Sequence, residues 1–142
     1  MSPETDAGED AWRDGLRVRL GTEFGRILAA LVADVRGALA AALTDHRDDA
    51  VDYAYMAEDV SEFDIEVTAA QVGQTVRHTH ALAISCGLGR PMIIVEAERR
   101  TLVLGIPKDQ YQLTLLLDPR ANLAVAMGHF REDLRRVGRL LP

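Results

Sequence analysis

The chain is poor in several things, and each shortage removes a class of function. Its 142 residues hold one cysteine, one tryptophan, three phenylalanines and three tyrosines. A lone thiol, Cys86, excludes an internal disulfide and supplies no metal cluster. Positive charge is short as well: 16 Lys and Arg stand against 22 Asp and Glu, a net charge of −6. That balance argues against nucleic acid as the main partner and against anionic membrane surfaces. No apolar run reaches the roughly 20 residues that span a bilayer. The first residues, MSPETDAGED, are acidic where a secretory signal is basic and then apolar. A cytoplasmic protein with no membrane partner is expected. There is no GxxxxGK[ST], and Gly87-Leu88-Gly89 does not join a strand to a helix opening, so no phosphate loop is expected.

What is present is the material of one globular domain, 48% hydrophobic and 27% charged. Residues 1–15 carry Glu4, Asp6, Glu9, Asp10 and Asp14 against Arg13 and read as a solvated, mobile tail. Trp12 stands out there: it either tacks the tail to the domain or docks a partner. The domain proper is assigned to residues 16–142.

Its centre is Met92–Leu117, three short apolar runs separated by Glu98-Arg99-Arg100 and Pro107-Lys108-Asp109. Runs of this length with turns this short form an antiparallel meander. Ile93-Ile94-Val95 and Leu115-Leu116-Leu117 place apolar side chains on both faces, so the sheet needs cover above and below. Upstream, Phe24, Ile27, Leu28, Leu31, Val32 and Val35 form one helical stripe, with Thr22 as N-cap and Glu23 in the first turn. Leu16, Val18 and Leu20 alternate ahead of it, as an extended segment or as one more helical turn. Ala38–Thr44 is alanine-rich, which favours helix. The polar turn Asp45–Asp49 and the alternation of Val51, Tyr53 and Tyr55 nevertheless make it one arm of a hairpin with Ala50–Tyr55, giving five strands.

A long helix follows, with Ser61 and Asp64 in a capping arrangement and a stop at Gly87. Its stripe of Ile65, Ala69, Val72, Val76, Thr79 and Ala83 is low in bulk, so something can approach closely. Asn122 opens a last helix with Leu123, Met127, Phe130, Leu134, Val137 and Leu141 inward. The order is helix-strand-strand-helix-strand-strand-strand-helix, an α+β chain.

Catalytic chemistry is not evident. His78 and His80 are about 200° apart around a helix and cannot share a metal. His46 and His129 have no carboxylate or cysteine at ligand spacing. Cys86, near a helix C-terminus, faces the negative end of the dipole, which disfavours its thiolate. Asp48-Asp49, Glu58-Asp59, Asp64 and Glu66 are explained as turn and helix-start residues. No catalytic residue, cofactor or metal is expected, and the chain is not read as an enzyme.

What remains is surface. Met92–Ala97 has no upstream strand to pair with and is a candidate sheet edge, which another chain would have to cover. With the low-relief helix it suggests a two-fold homodimer, with interface residues Thr75, His78, Thr79, Leu82, Met92, Ile94 and Glu96. The alternative is a monomer shielded by its own Gly87–Pro91. Arg99 and Arg100, at a hairpin tip, are the candidate partner contacts.

These residues carry a resemblance. Val35-Arg36-Gly37-Ala38-Leu39 followed by Leu43-Thr44-Asp45 is similar to the first strand and turn of the Roadblock dynein light chain family. Val95–Leu104 resembles its third and fourth strands, and Leu115–Leu123 its fifth strand entering the last helix. The resemblance covers about Leu20 to Leu141. It implies a profilin-like sandwich, a five-stranded antiparallel sheet with two helices on one face and one on the other. It implies dimers made by pairing Met92–Ala97 and packing the middle helices. It also implies binding to a small Ras-like GTPase, as an activating partner or a scaffold, by a protein with no nucleotide site of its own. A structural scaffold of a larger complex and a small-molecule sensor are the other readings. The turn Asp45–Asp49 departs from the family in lacking glycine, and the acidic tail is longer than a minimal domain needs.

Overall fold

The computed structural model describes residues 14–142. The expected tail over residues 1–15, with Trp12, falls almost wholly outside the described residues.

The chain runs β1 (Leu16–Val18), α1 (Glu23–Asp34), β2 (Ala38–Thr44), β3 (Ala50–Met56), α2 (Glu62–Ser85), β4 (Met92–Glu96), β5 (Thr101–Gly105), β6 (Gln112–Leu117) and α3 (Leu123–Leu140). The strands form one antiparallel sheet in the order β1-β3-β2-β6-β5-β4. The α+β class and element order are those expected, with one strand more. Leu16–Val18 is extended and pairs with β3, Leu16 opposite Met56 and Val18 opposite Ala54. The reason lies 32 residues downstream, in Asp52, whose carboxylate accepts from the Leu20 and Thr22 amides and the Thr22 hydroxyl.

The helices start where their caps place them. The Thr22 hydroxyl accepts from Gly25 N, and the Asn122 side chain accepts from Val125 N. Ser61 and Asp64 form a reciprocal capping box. At the other end of α2, Gly87 N donates to Ile84 O and Leu88 N to Ala83 O, and Gly87 takes φ +74°. This left-handed exit satisfies the last carbonyls.

Two cores flank the sheet. On one face Leu28, Leu31 and Val32 of α1 and Phe130 and Val137 of α3 meet Leu43, Leu113 and Leu115. On the other, Ile65 and Ala69 of α2 rest on Leu39, Ala40, Ala42 and Tyr53. β2, the alanine-rich run, is buried along its whole length between β3 and β6. Burial on both faces overrides its helical preference, and its small side chains let helices approach from either side.

The glycine-free hairpin turn closes on Asp48, which adopts φ +63°. Aspartate tolerates that left-handed region better than most residues. Its carboxylate is held bidentately by Arg77 of α2, with Nη1 to Oδ1 at 2.7 Å. Gly73 of α2 lies so close that a Cβ there would strike Asp48 Oδ1. Gly73 is buried there, while Val72 and Thr79 of the expected stripe are only half-buried.

Candidate interaction surface

β4 lies at the end of the sheet and pairs, among the described residues, only with β5, Met92 opposite Gly105 through Glu96 opposite Thr101. Its second side is open. Ile94 is 37% and Val95 44% exposed. A row of unpaired backbone groups flanked by exposed branched residues is a template for a further strand.

Alternation along β4 divides its side chains between the faces. Met92 packs toward the α3 core, and Ile94 and Glu96 share its side. Ile93 and Val95 point to the α2 side. There a groove of about 350 Å³ separates β4 from the start of α2, with Asp64 and Thr68 on one wall, Val95 and Ala97 on the other, and Leu102 and Leu116 between. At about 100° per residue, Thr75, Thr79 and Leu82 continue the flank begun by Asp64 and Thr68. His78 is exposed at the edge of that flank, about 40° around the axis from Leu82. The expected set therefore divides: Thr75, His78, Thr79 and Leu82 lie further along α2, beyond the residues that line the groove, while Met92, Ile94 and Glu96 turn to the opposite face. Ile93 and Val95, not in the expected set, are the strand residues on the helix side. Period-two alternation carried that information, but the covering helix could be assigned only in three dimensions.

Arg99 and Arg100 occupy the exposed β4–β5 turn, closed by Ala97 N donating to Arg100 O. Arg100 also lines the groove near Asp59 and Asp64, whereas Arg99 does not. Nearby, a hydrogen bond from the Arg120 side chain holds the Asp118 carboxyl below its usual range, with Arg100 adding to the effect.

A second cavity, about 130 Å³, lies beneath the C-terminal half of α2 and is lined by Asp45, Arg77, His80, Tyr111 and Gln112 among others. His80 Nδ1 and Gln112 Oε1 are buried without hydrogen-bond partners. Buried polar atoms of this kind ordinarily meet a water or a ligand. Among the described residues no three His, Cys, Asp or Glu side chains are placed to hold a metal. Ser85 donates to Ala81 O, and Cys86 is exposed. No described helix is long and apolar enough to cross a membrane.

No family model and no curated protein matches the chain. Solved structures do. The Roadblock/LC7 domain from Streptomyces avermitilis superposes with a TM-score of 0.67 at 16% identity, over 79% of this chain and 92% of that one. The gliding protein MglB from Thermus thermophilus gives 0.71 at 20% identity, over 82% and 86%. An MglB with a tetrameric arrangement gives 0.72 at 21%, over 85% and 91%. The fold of this chain is the Roadblock/LC7 fold, and at such identities the likeness speaks to fold.

Proposed function

We propose that two copies of the chain pair along β4 and that the resulting dimer regulates or scaffolds a small Ras-like GTPase without catalysing chemistry itself. The observation that carries this reading is the open, apolar β4 edge beside a low-relief helix flank on a Roadblock/LC7 fold. Joining two such edges continues the sheet across a two-fold axis and brings the α2 grooves of both copies together. Leu82, 57% exposed, and Val95 are the apolar residues such a contact would cover. Self-assembly in a protein of the same fold, MglB with its tetrameric arrangement, supports the same reading.

An effect on hydrolysis would work by rearranging the GTPase's own switch loops, since among the described residues no arginine sits on a long projecting loop. Arg99 and Arg100 are the turn arginines to test for a direct role. The experiment adds the purified protein to a panel of Ras-like GTPases from its own genome. Faster hydrolysis identifies an activator. Binding without a rate change identifies a scaffold. Failure of every GTPase to bind removes the reading and favours a small-molecule sensor, to which the cavity with His80 Nδ1 and Gln112 Oε1 gives a specific place.

A further inference from the structure

On the face opposite the α2 groove, a second groove of about 560 Å³ runs between α3 and the start of β4. Its lining includes Arg90, Arg131, Arg135 and Arg139 and no carboxylate, in a chain whose net charge is −6. Arg131 and Arg139 have no ion-pair partner among the described residues, and Arg135 has only a long contact to Glu132 at 3.7 Å. Arg90 comes from the loop before β4 and donates to Pro107 O at 3.3 Å, which holds its guanidinium at the groove beside Gly138. Met92 and Leu134 supply apolar surface between the walls. At the groove α3 lies tight on the β5–β6 turn, where a Cβ at Gly138 would strike Pro107 O.

We propose that this groove binds an extended acidic segment of a partner protein, with carboxylates on alternate residues. Arg131, Arg135 and Arg139 are spaced i, i+4, i+8, so they stand about 6 Å apart along one helix face. Alternate residues of an extended peptide are about 6.7 Å apart and point the same way. A three-carboxylate segment therefore meets three guanidiniums in register, and its intervening side chains face Met92. Arginines anchored over about 12 Å of helix suit separated charges better than one phosphate group. The groove has no aromatic lining on which bases would stack, which disfavours single-stranded nucleic acid. The inference is independent of the GTPase reading, since it uses neither the open side of β4 nor the α2 groove.

The test is fluorescence anisotropy with a labelled peptide of alternating Glu and Val. The controls are a peptide of the same composition with its glutamates in one block, a Gln-for-Glu peptide, and an oligothymidylate of equal charge. The alternating peptide should bind best, and its affinity should fall steeply between 50 and 300 mM salt, concentrations chosen to span strong and weak screening (about 14 to 6 Å). Replacing both exposed residues in R131S/R139S should weaken it at least about tenfold, through two lost charge-assisted hydrogen bonds. R17S/R47S, which removes two exposed arginines elsewhere, should leave the affinity unchanged. Equal binding of the block peptide or the oligothymidylate, or no effect of R131S/R139S in a variant with an unchanged melting curve, would overturn the proposal. So would binding that emerges only after deletion of residues 1–13, which would assign the groove to the chain's own acidic segment.

Discussion

Replacing Asp52 by alanine should cost this fold about 3–5 kcal/mol at neutral pH, from unsatisfied donors in the range of about 1–3 kcal/mol each. Asp52 is 0% exposed and accepts four hydrogen bonds: Leu20 N at 3.0 Å, Thr22 N at 3.1 Å, Thr22 Oγ1 at 2.7 Å and Tyr53 N at 2.8 Å. Truncation leaves three backbone donors without that acceptor. Leu20 is exposed, so its amide can recover water, which is why the sum stays below the upper bound. Burial pushes the Asp52 carboxyl up, but the hydrogen bonds from Thr22, Leu20 and Tyr53 outweigh it and hold its pKa below 3.8. The folded pKa is therefore the depressed one. The stabilisation it reports is present above the unfolded value near 3.8 and is lost as pH falls through the folded value. Urea melts of the wild type and Asp52→Ala should differ by the full amount at pH 7, and the gap should narrow below about pH 3.8. A difference under about 1 kcal/mol at pH 7, or a gap that stays constant in acid, would refute the assignment of Asp52 as the clamp holding β1 and the start of α1 to β3.

Three other expectations follow from the same geometry. Gly25→Ala should destabilise by about 1–3 kcal/mol although alanine favours helices, because a Cβ there would strike the Asp52 carboxylate. In the Asp52→Ala background the same change should become neutral or stabilising, which a double-mutant cycle by urea melts would read. Asp133, buried on α3, has its pKa raised to about 6 by burial, opposed by Arg136 and His129 and reinforced by Glu132 and Asp34. Its folded pKa lies above the unfolded value, so it costs stability as pH rises from about 4 to 6, by up to about 3 kcal/mol. Thermal melts of Asp133→Asn should lose that decline and show a higher Tm than wild type at pH 7.5. Val95→Lys should leave the melting of the isolated fold almost unchanged, since Val95 is 44% exposed, yet abolish self-association measured by light scattering.

How much of this was legible in the sequence depended on how local the cause was. Caps written within a few residues, Thr22 with Gly25, Ser61 with Asp64 and Asn122 with Val125, placed all three helices. Hydrophobic spacing placed the meander and identified its first strand as an edge. Leu16–Val18 stayed open between strand and helix because its partner is β3 and its anchor is Asp52, more than 30 residues away. The hairpin turn without glycine depended on Asp48, whose left-handed conformation is secured by Arg77 on a different element. At the candidate surface, alternation separated Met92, Ile94 and Glu96 from Ile93 and Val95, but one dimension does not say which set faces α2. The i, i+4, i+8 spacing of Arg131, Arg135 and Arg139 was likewise readable, while Arg90 joined them only through the fold.

The claim that a second copy completes the open edge is tested most directly by a cysteine scan. In a Cys86→Ser background, single cysteines are placed at each position from Met92 to Glu96, with Glu98 in the exposed turn as a control, and copper-catalysed oxidation is followed on non-reducing gels. Two antiparallel β4 strands related by a two-fold axis bring one residue and its own copy to about 4.5–5.5 Å between Cα atoms. One position within the strand should therefore cross-link rapidly and to near completion at low micromolar protein. Cross-linking no faster within β4 than at position 98 would contradict the account.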